Sequence, residues 1–198
     1  MYAEAVKGKG YQKIAILTGQ PGAFNLQERD RGFKDALDMA GVDYEIVVTV
    51  PGYDDLSKSV EAVESTLRGN EEINGFFFDG PWVLLVEPTN TPVLVERVKS
   101  GQLTVVSFDT LPPQLQWLEQ DLVIGLVGQK YYGWGYQGIT VLYEIVANGA
   151  TYPPIVNTGV DVVTKTGGEG RFSVAEFKEF WETSSFKEKP IMPGDLAQ

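Results

Sequence analysis

Two short apolar runs end on a carboxylate in the same way, Phe76-Phe77-Phe78-Asp79 and Val105-Val106-Ser107-Phe108-Asp109. A third, Ile14-Ala15-Ile16-Leu17, runs into a turn, Gly19-Gln20-Pro21-Gly22. Short apolar runs bounded by turn formers read as strands buried in a sheet. Between them the spacing is helical, with Leu26, Phe33, Ala36, Leu37 and Ala40 before Gly41, then Val60, Val63, Thr66 and Leu67 before Gly69-Asn70. Strands alternating with helices restrict the chain to an α/β architecture, an open parallel sheet with helices on both faces. The carboxyl ends of the strands in such a sheet open on one edge. Asp79, Asp109 and Arg29, which lies behind the first turn, therefore converge on a shared crevice.

The pattern predicts strands over 13–18, 44–50, 73–78, 103–108, 122–127 and 155–164. Helices are expected over 25–40, from the Asp54-Asp55 cap to residue 69, and over 91–99, 132–148 and 174–182, with a helical turn over 82–87. Met1 to Lys7 reads as the tail of a helix. Past Asp109 the regularity changes at Pro112-Pro113, Gly167 to Gly170 reads as a flexible joint, and 184–198 as a tail.

Composition removes several function classes. The chain has 198 residues and a net charge of −11, from 16 Lys+Arg against 27 Asp+Glu. Nucleic-acid affinity needs clustered basic residues, so no nucleic-acid partner is expected. Cys and His are absent, which excludes thiol nucleophiles, histidine general bases and the usual zinc ligand sets. No cofactor and no metal are implied, and no apolar run reaches the length of a transmembrane helix. The Gly19 to Gly22 loop lacks both glycine-rich phosphate-binding patterns and reads as a tight turn. The aromatic stretch Tyr131 to Tyr136 reads as packing surface.

The order of these marks resembles the C-terminal lobe of the ribose-binding-protein family, the type I periplasmic sugar receptors of bacterial ABC transporters. The run Lys13 to Gly19, Arg29-Asp30-Arg31-Gly32-Phe33, Tyr53-Asp54, Asp79, Phe108-Asp109 and Gln129 carry the resemblance, which covers roughly residues 3–165. It implies a Rossmann-like lobe with the N-terminal lobe largely missing. On that plan 1–128 form the sugar-binding lobe, 129–154 belong to the first lobe, 155–166 hold the return strand, and 167–198 a C-terminal helix and tail.

The resemblance also implies roles. Arg29 matches an arginine whose planar fork donates to sugar hydroxyls. Tyr53 matches an aromatic that packs on a sugar's C–H face, Asp109 an acceptor of hydroxyls, and Gln129 an amide near the return hinge. Asp79 stands where an asparagine is common, and an ionised aspartate only accepts. Trp82 and, more weakly, Phe24 are further stacking candidates. Each has a plainer alternative: a surface ion pair of Arg29 with Glu28 or Asp30, capping for Asp79 and Asp109, and packing for the aromatics.

The implied function is a non-enzymatic monosaccharide receptor, periplasmic or extracellular, that works with a membrane permease. Its other expected partner is the first lobe, or a second copy through 132–148. Two alternatives share the residues: the effector-binding domain of a LacI-type sugar-responsive repressor, disfavoured by the acidic charge, and a carboxylate-dependent glycoside-processing enzyme using Asp79 and Asp109.

Overall fold

The computed structural model describes residues 1–183, so the expected tail at 184–198 lies outside the described residues. Eight strands form one sheet: β1 Gln12–Thr18, β2 Tyr44–Pro51, β3 Gly75–Phe78, β4 Thr104–Phe108, β5 Leu126–Gln129, β6 Val160–Thr164, β7 Thr166–Gly168 and β8 Arg171–Ser173. Their order is β2-β1-β3-β4-β5-β6-β8-β7. The first five are parallel, β6 runs antiparallel to β5, and β7 pairs antiparallel with β8.

Helices α1 Tyr2–Val6 and α2 Phe24–Met39 precede and follow β1, and α3 Leu56–Gly69, α4 Pro92–Lys99 and α5 Pro112–Glu119 follow β2, β3 and β4. α6 Tyr131–Asn148 leaves the end of β5, and α7 Val174–Glu182 closes the described chain. Consecutive strand residues point to opposite faces, and both faces are covered. Ile14, Ile16, Phe77 and Val106 pack with Tyr2, Val6, Phe33 and Leu37 on one side. Ala15, Leu17, Phe76, Phe78 and Val105 pack on the other with Val63, Leu67, Leu94, Leu118 and Phe177. This double burial is why these strands are apolar at every position rather than alternating.

Two buried charges fasten α3 to its neighbours. Glu64 accepts from the backbone N–H groups of Val93 and Leu94 at 3.2 and 3.0 Å, satisfying orphan donors at the start of α4. Arg97 reaches back from α4 and donates to the carbonyls of Leu67 and Asn70, both at 3.1 Å, of Glu71 at 2.9 Å, and of Ile73. One guanidinium thus closes the α3–β3 connection.

The expected elements reappear, with shifts of one or two residues at several ends and four larger differences. Residues 112–119 form α5, because prolines at its first two positions remove only N–H groups that would be unpaired there. The fifth strand begins at Leu126 rather than 122. Only 160–164 of the expected 155–164 is strand, and Ile155 is exposed. Gly167 to Gly170 is no flexible joint: it turns the β7–β8 hairpin, with φ of 75°, 139° and 67° at Gly167, Gly168 and Gly170.

α6 stands apart from the sheet. It buries only Gly133 and Gln137, and leaves Ile139, Leu142, Tyr143, Ile145 and Val146 exposed. Gly149 stops it in the left-handed conformation, φ 65°.

Arg97→Met keeps the bulk but strands the carbonyls at the α3–β3 connection, and should cost about 3 kcal/mol of stability in denaturant melts. A loss below about 1 kcal/mol would show that water replaces the guanidinium.

Candidate functional site

The register of the sheet builds the crevice. Leu17, Phe78 and Ser107 lie in one row across β1, β3 and β4. The next residues along each strand, Thr18-Gly19, Asp79-Gly80 and Phe108-Asp109, therefore emerge side by side at the carboxyl edge.

Arg29 reaches this edge from α2. Its Nη1 donates to the backbone carbonyl of Asp79 at 2.6 Å and lies 3.9 Å from Oδ2 of Asp109. The guanidinium carbon sits 4.6 Å from the centre of the Phe108 ring, a cation–π contact. Arg31, two residues on, turns outward to pair with Glu28 and Asp35. The surface ion pair that was the plain alternative for Arg29 thus belongs to Arg31.

Asp109 collects donors from the chain leaving β5. Its Oδ1 accepts from Gln129 Nε2 at 2.6 Å and from the Tyr131 hydroxyl, and Gln129 Nε2 also donates to Tyr131 at 3.2 Å. Oδ2 faces Arg29 beyond hydrogen-bond distance and keeps spare acceptor capacity. The backbone of Asp109 is left-handed, φ 68°, a conformation that costs a non-glycine residue energy. Tyr53 and Asp54, after β2, are both at φ 56°. Strained backbone at two of the converging strand ends fits a site whose side-chain directions matter more than local comfort.

Asp79 is sealed beneath the arginine at 0% exposure, and neither carboxylate oxygen has a hydrogen-bond partner. Burial pushes its pKa up to about 7. The Thr18 hydroxyl tempers the shift without reaching good hydrogen-bond geometry, the Asp30 carboxylate reinforces it, and Arg29 and the Gly19 amide oppose it. Asp30 is itself raised by burial, against the opposing charge of Lys34, and its Oδ1 is buried without a partner. Both expected carboxylates are thus buried, Asp79 at 0% and Asp109 at 4% exposure.

The walls are aromatic. Trp82 is half-buried, its ring edge against Gly19 and Gly80: a Cβ on either glycine would lie 2.5 or 2.4 Å from Trp82 Cη2. Only glycine fits beneath that ring. Tyr53 is 49% exposed, with Lys58 Nζ 5.5 Å from its ring centre, and Phe24 is 74% exposed at the start of α2. Arg29, Asp79, Asp109 and Gln129 are thus brought together, Tyr53 and Trp82 lie in strand-end loops of the same edge, and Phe24 stands out in solvent.

Three neighbours of the site lay outside the expected set: Tyr131, Phe108 and Asp30. Tyr131 was masked by the aromatic run around it. Phe108 and Asp30 each adjoin a marked residue, and only the fold shows which way they point.

A family model described as a periplasmic binding protein domain matches residues 1–150. The chain belongs to the periplasmic binding protein family. Among solved structures it is similar to GanP, a glucose-galactose binding protein from Geobacillus stearothermophilus, at 27% identity and a TM-score of 0.70, over 83% of this chain and 57% of that one. A solute-binding protein of an ABC transporter from Burkholderia graminis C4D1M, solved with D-arabinose, is 31% identical with a TM-score of 0.65, over 83% and 56% of the two chains. A carbohydrate transporter solute-binding protein from Agrobacterium radiobacter, also with D-arabinose, is 25% identical with a TM-score of 0.69, over 82% and 55%. A search of curated proteins returned no match. The chain spans little more than half the length of these solved relatives.

In this periplasmic binding protein chain Asp79 has a measurable pH signature. The folded state keeps a proton that the unfolded chain releases between about pH 4 and pH 7, so this contribution is full below about pH 4 and is lost as the pH rises through 7. Asp79→Asn removes the ionisation. It should be more stable than the parent by about 2 to 4 kcal/mol at pH 8, with the gap closing toward pH 4.5. A gap independent of pH in thermal melts would show that Asp79 is not held protonated.

Proposed function

We propose that this chain provides one sugar-binding face of a solute receptor for a bacterial ABC transporter, with Arg29 and Asp109 as the main contacts. The carrying observation is the Arg29 fork, aligned by the Asp79 carbonyl and the Phe108 ring, beside an Asp109 oxygen with acceptor capacity to spare. A fixed donor fork next to a fixed acceptor suits a neutral polyol, whose hydroxyls each donate and accept. Gln129 adds an amide, and Tyr53, Trp82 and Phe24 offer rings for the apolar face of a sugar. Asp79 enters through Arg29, whose position its carbonyl holds. The names of the similar proteins, which include a glucose-galactose binding protein and two solved with D-arabinose, support a monosaccharide as ligand.

The reading carries the rest of the assembly with it: a periplasmic or extracellular setting, a membrane permease as partner, and no catalytic step. On this reading 1–128 form the sugar-binding lobe, 129–154 belong to the first lobe, 155–166 hold the return strand, and 167–198 the C-terminal helix and tail. The exposed face of α6 is then the part that meets a second lobe or, in these 198 residues alone, another copy.

Calorimetry with D-arabinose, D-galactose and D-glucose tests the site. One face of a clamp leaves its sugar open to water, so binding should be near millimolar, about 4 kcal/mol weaker than a micromolar two-lobed site. Arg29→Ala should lose about 2 kcal/mol or more, and Arg31→Ala almost nothing. Equal losses would move the site away from Arg29, and submicromolar binding would overturn the single-face reading. Light scattering at tens of micromolar tests α6: a dimer or larger species is expected, and Leu142→Gln with Val146→Gln should shift it toward monomer and lower the binding of a hydrophobic dye.

A further inference from the structure

Asp109 holds its two oxygens in different company. Oδ2 looks toward Arg29 at 3.9 Å, whereas Oδ1 is engaged by Gln129, the last residue of β5, and by Tyr131, the first of α6. The carboxylate is a rigid plane, so a ligand hydroxyl that draws Oδ2 also moves Oδ1 and whatever donates to it. Tyr131 leads further. Its ring meets Trp134 edge to face at 5.6 Å, and the Trp134 indole N–H donates to Thr158 Oγ1 at 3.1 Å. Thr158 lies on the returning segment, two residues before β6. One line of contacts therefore joins the crevice to both the departing and the returning chain. Because α6 buries so little of itself, its first turn is where its direction is set.

We propose that Tyr131 is a positioning residue that aims the Asp109 carboxylate at the ligand and relays its occupancy to α6 and to the segment entering β6. This rests on the reading of the crevice as a sugar site. The phenol suits the task, since it reaches the carboxylate from the helix and donates without adding charge. Burial, together with the adjoining Asp109, pushes its pKa up, so it stays a donor at neutral pH.

The test is amide and indole NMR of the 198-residue protein titrated with D-arabinose and with D-galactose. In the parent, the Asp109 and Gln129 amides, the Trp134 indole N–H and the Thr158 amide should move along one isotherm. Tyr131→Phe should raise the Kd about five- to tenfold, the net effect of one ordinary hydrogen bond, since the phenol acts on the ligand only through Asp109, and should leave the Trp134 and Thr158 signals unmoved at saturation. Thr158→Val touches neither Asp109 nor Arg29; it should keep the affinity and silence only the returning segment. If Tyr131→Phe binds as the parent does and Trp134 still responds, the proposal is overturned, as it is if sugar moves Asp109 and Gln129 in the parent but not Trp134. If neither sugar moves Asp109 or Gln129, the sugar-site reading falls and takes the relay with it.

Discussion

The in-row pairing of Leu17, Phe78 and Ser107 is the constraint on which the rest of the site depends. A slip of one residue in any of the three strands would exchange its two faces, driving its apolar side chains from one core to the other. Both cores are filled, so no such slip is available. The strand ends are therefore level, and the residue after each strand has a set address. Asp109 sits beside β5, Asp79 under α2, and Arg29 finds the Asp79 carbonyl because that carbonyl is the next acceptor past the end of β3.

The electrostatics of the floor rest on this geometry. Arg29 is bonded to a neutral carbonyl and faces an aromatic ring, so most of its charge is left to the crevice rather than cancelled by a short ion pair. Asp79 would cancel it if ionised beside it, but burial without a partner raises its pKa to about 7, so that near neutral pH a large share of that carboxyl stays protonated. Leaving buried oxygens unsatisfied costs stability. The cost falls next to strained backbone at Asp109, Tyr53 and Asp54, while the opposite end of the sheet carries no comparable strain among the described residues except at Asp121.

Much of this was legible in the sequence because the sheet is buried on both sides. Continuous apolar runs such as 76–78 have few other readings, and the residue after each run is then a strand-end residue. The reading failed where a rule had an exception in context. Pro112-Pro113 looked like an interruption and instead opens α5. The apolar character of 155–164 suggested one strand, but Ile155 finds nothing to pack on and the ladder begins only at Val160. The Asp109–Tyr131 bond joins residues 22 apart across a strand and a turn, and no periodicity marks it. Nor did the sequence show that Asp79 would be enclosed rather than open, since enclosure depends on where α2 lies.

The chain leaves the sheet at Gln129 and comes back at Val160, and these two residues are partners across the β5–β6 ladder. Everything carried between them is thus moored at two neighbouring points. Mechanically, such a mooring bends easily about the line through both points and resists translation along it, because the ladder hydrogen bonds would have to break for either point to slide. The segment 130–159 is therefore given one soft direction of motion, and the aromatic turn at its root decides where along that arc it comes to rest.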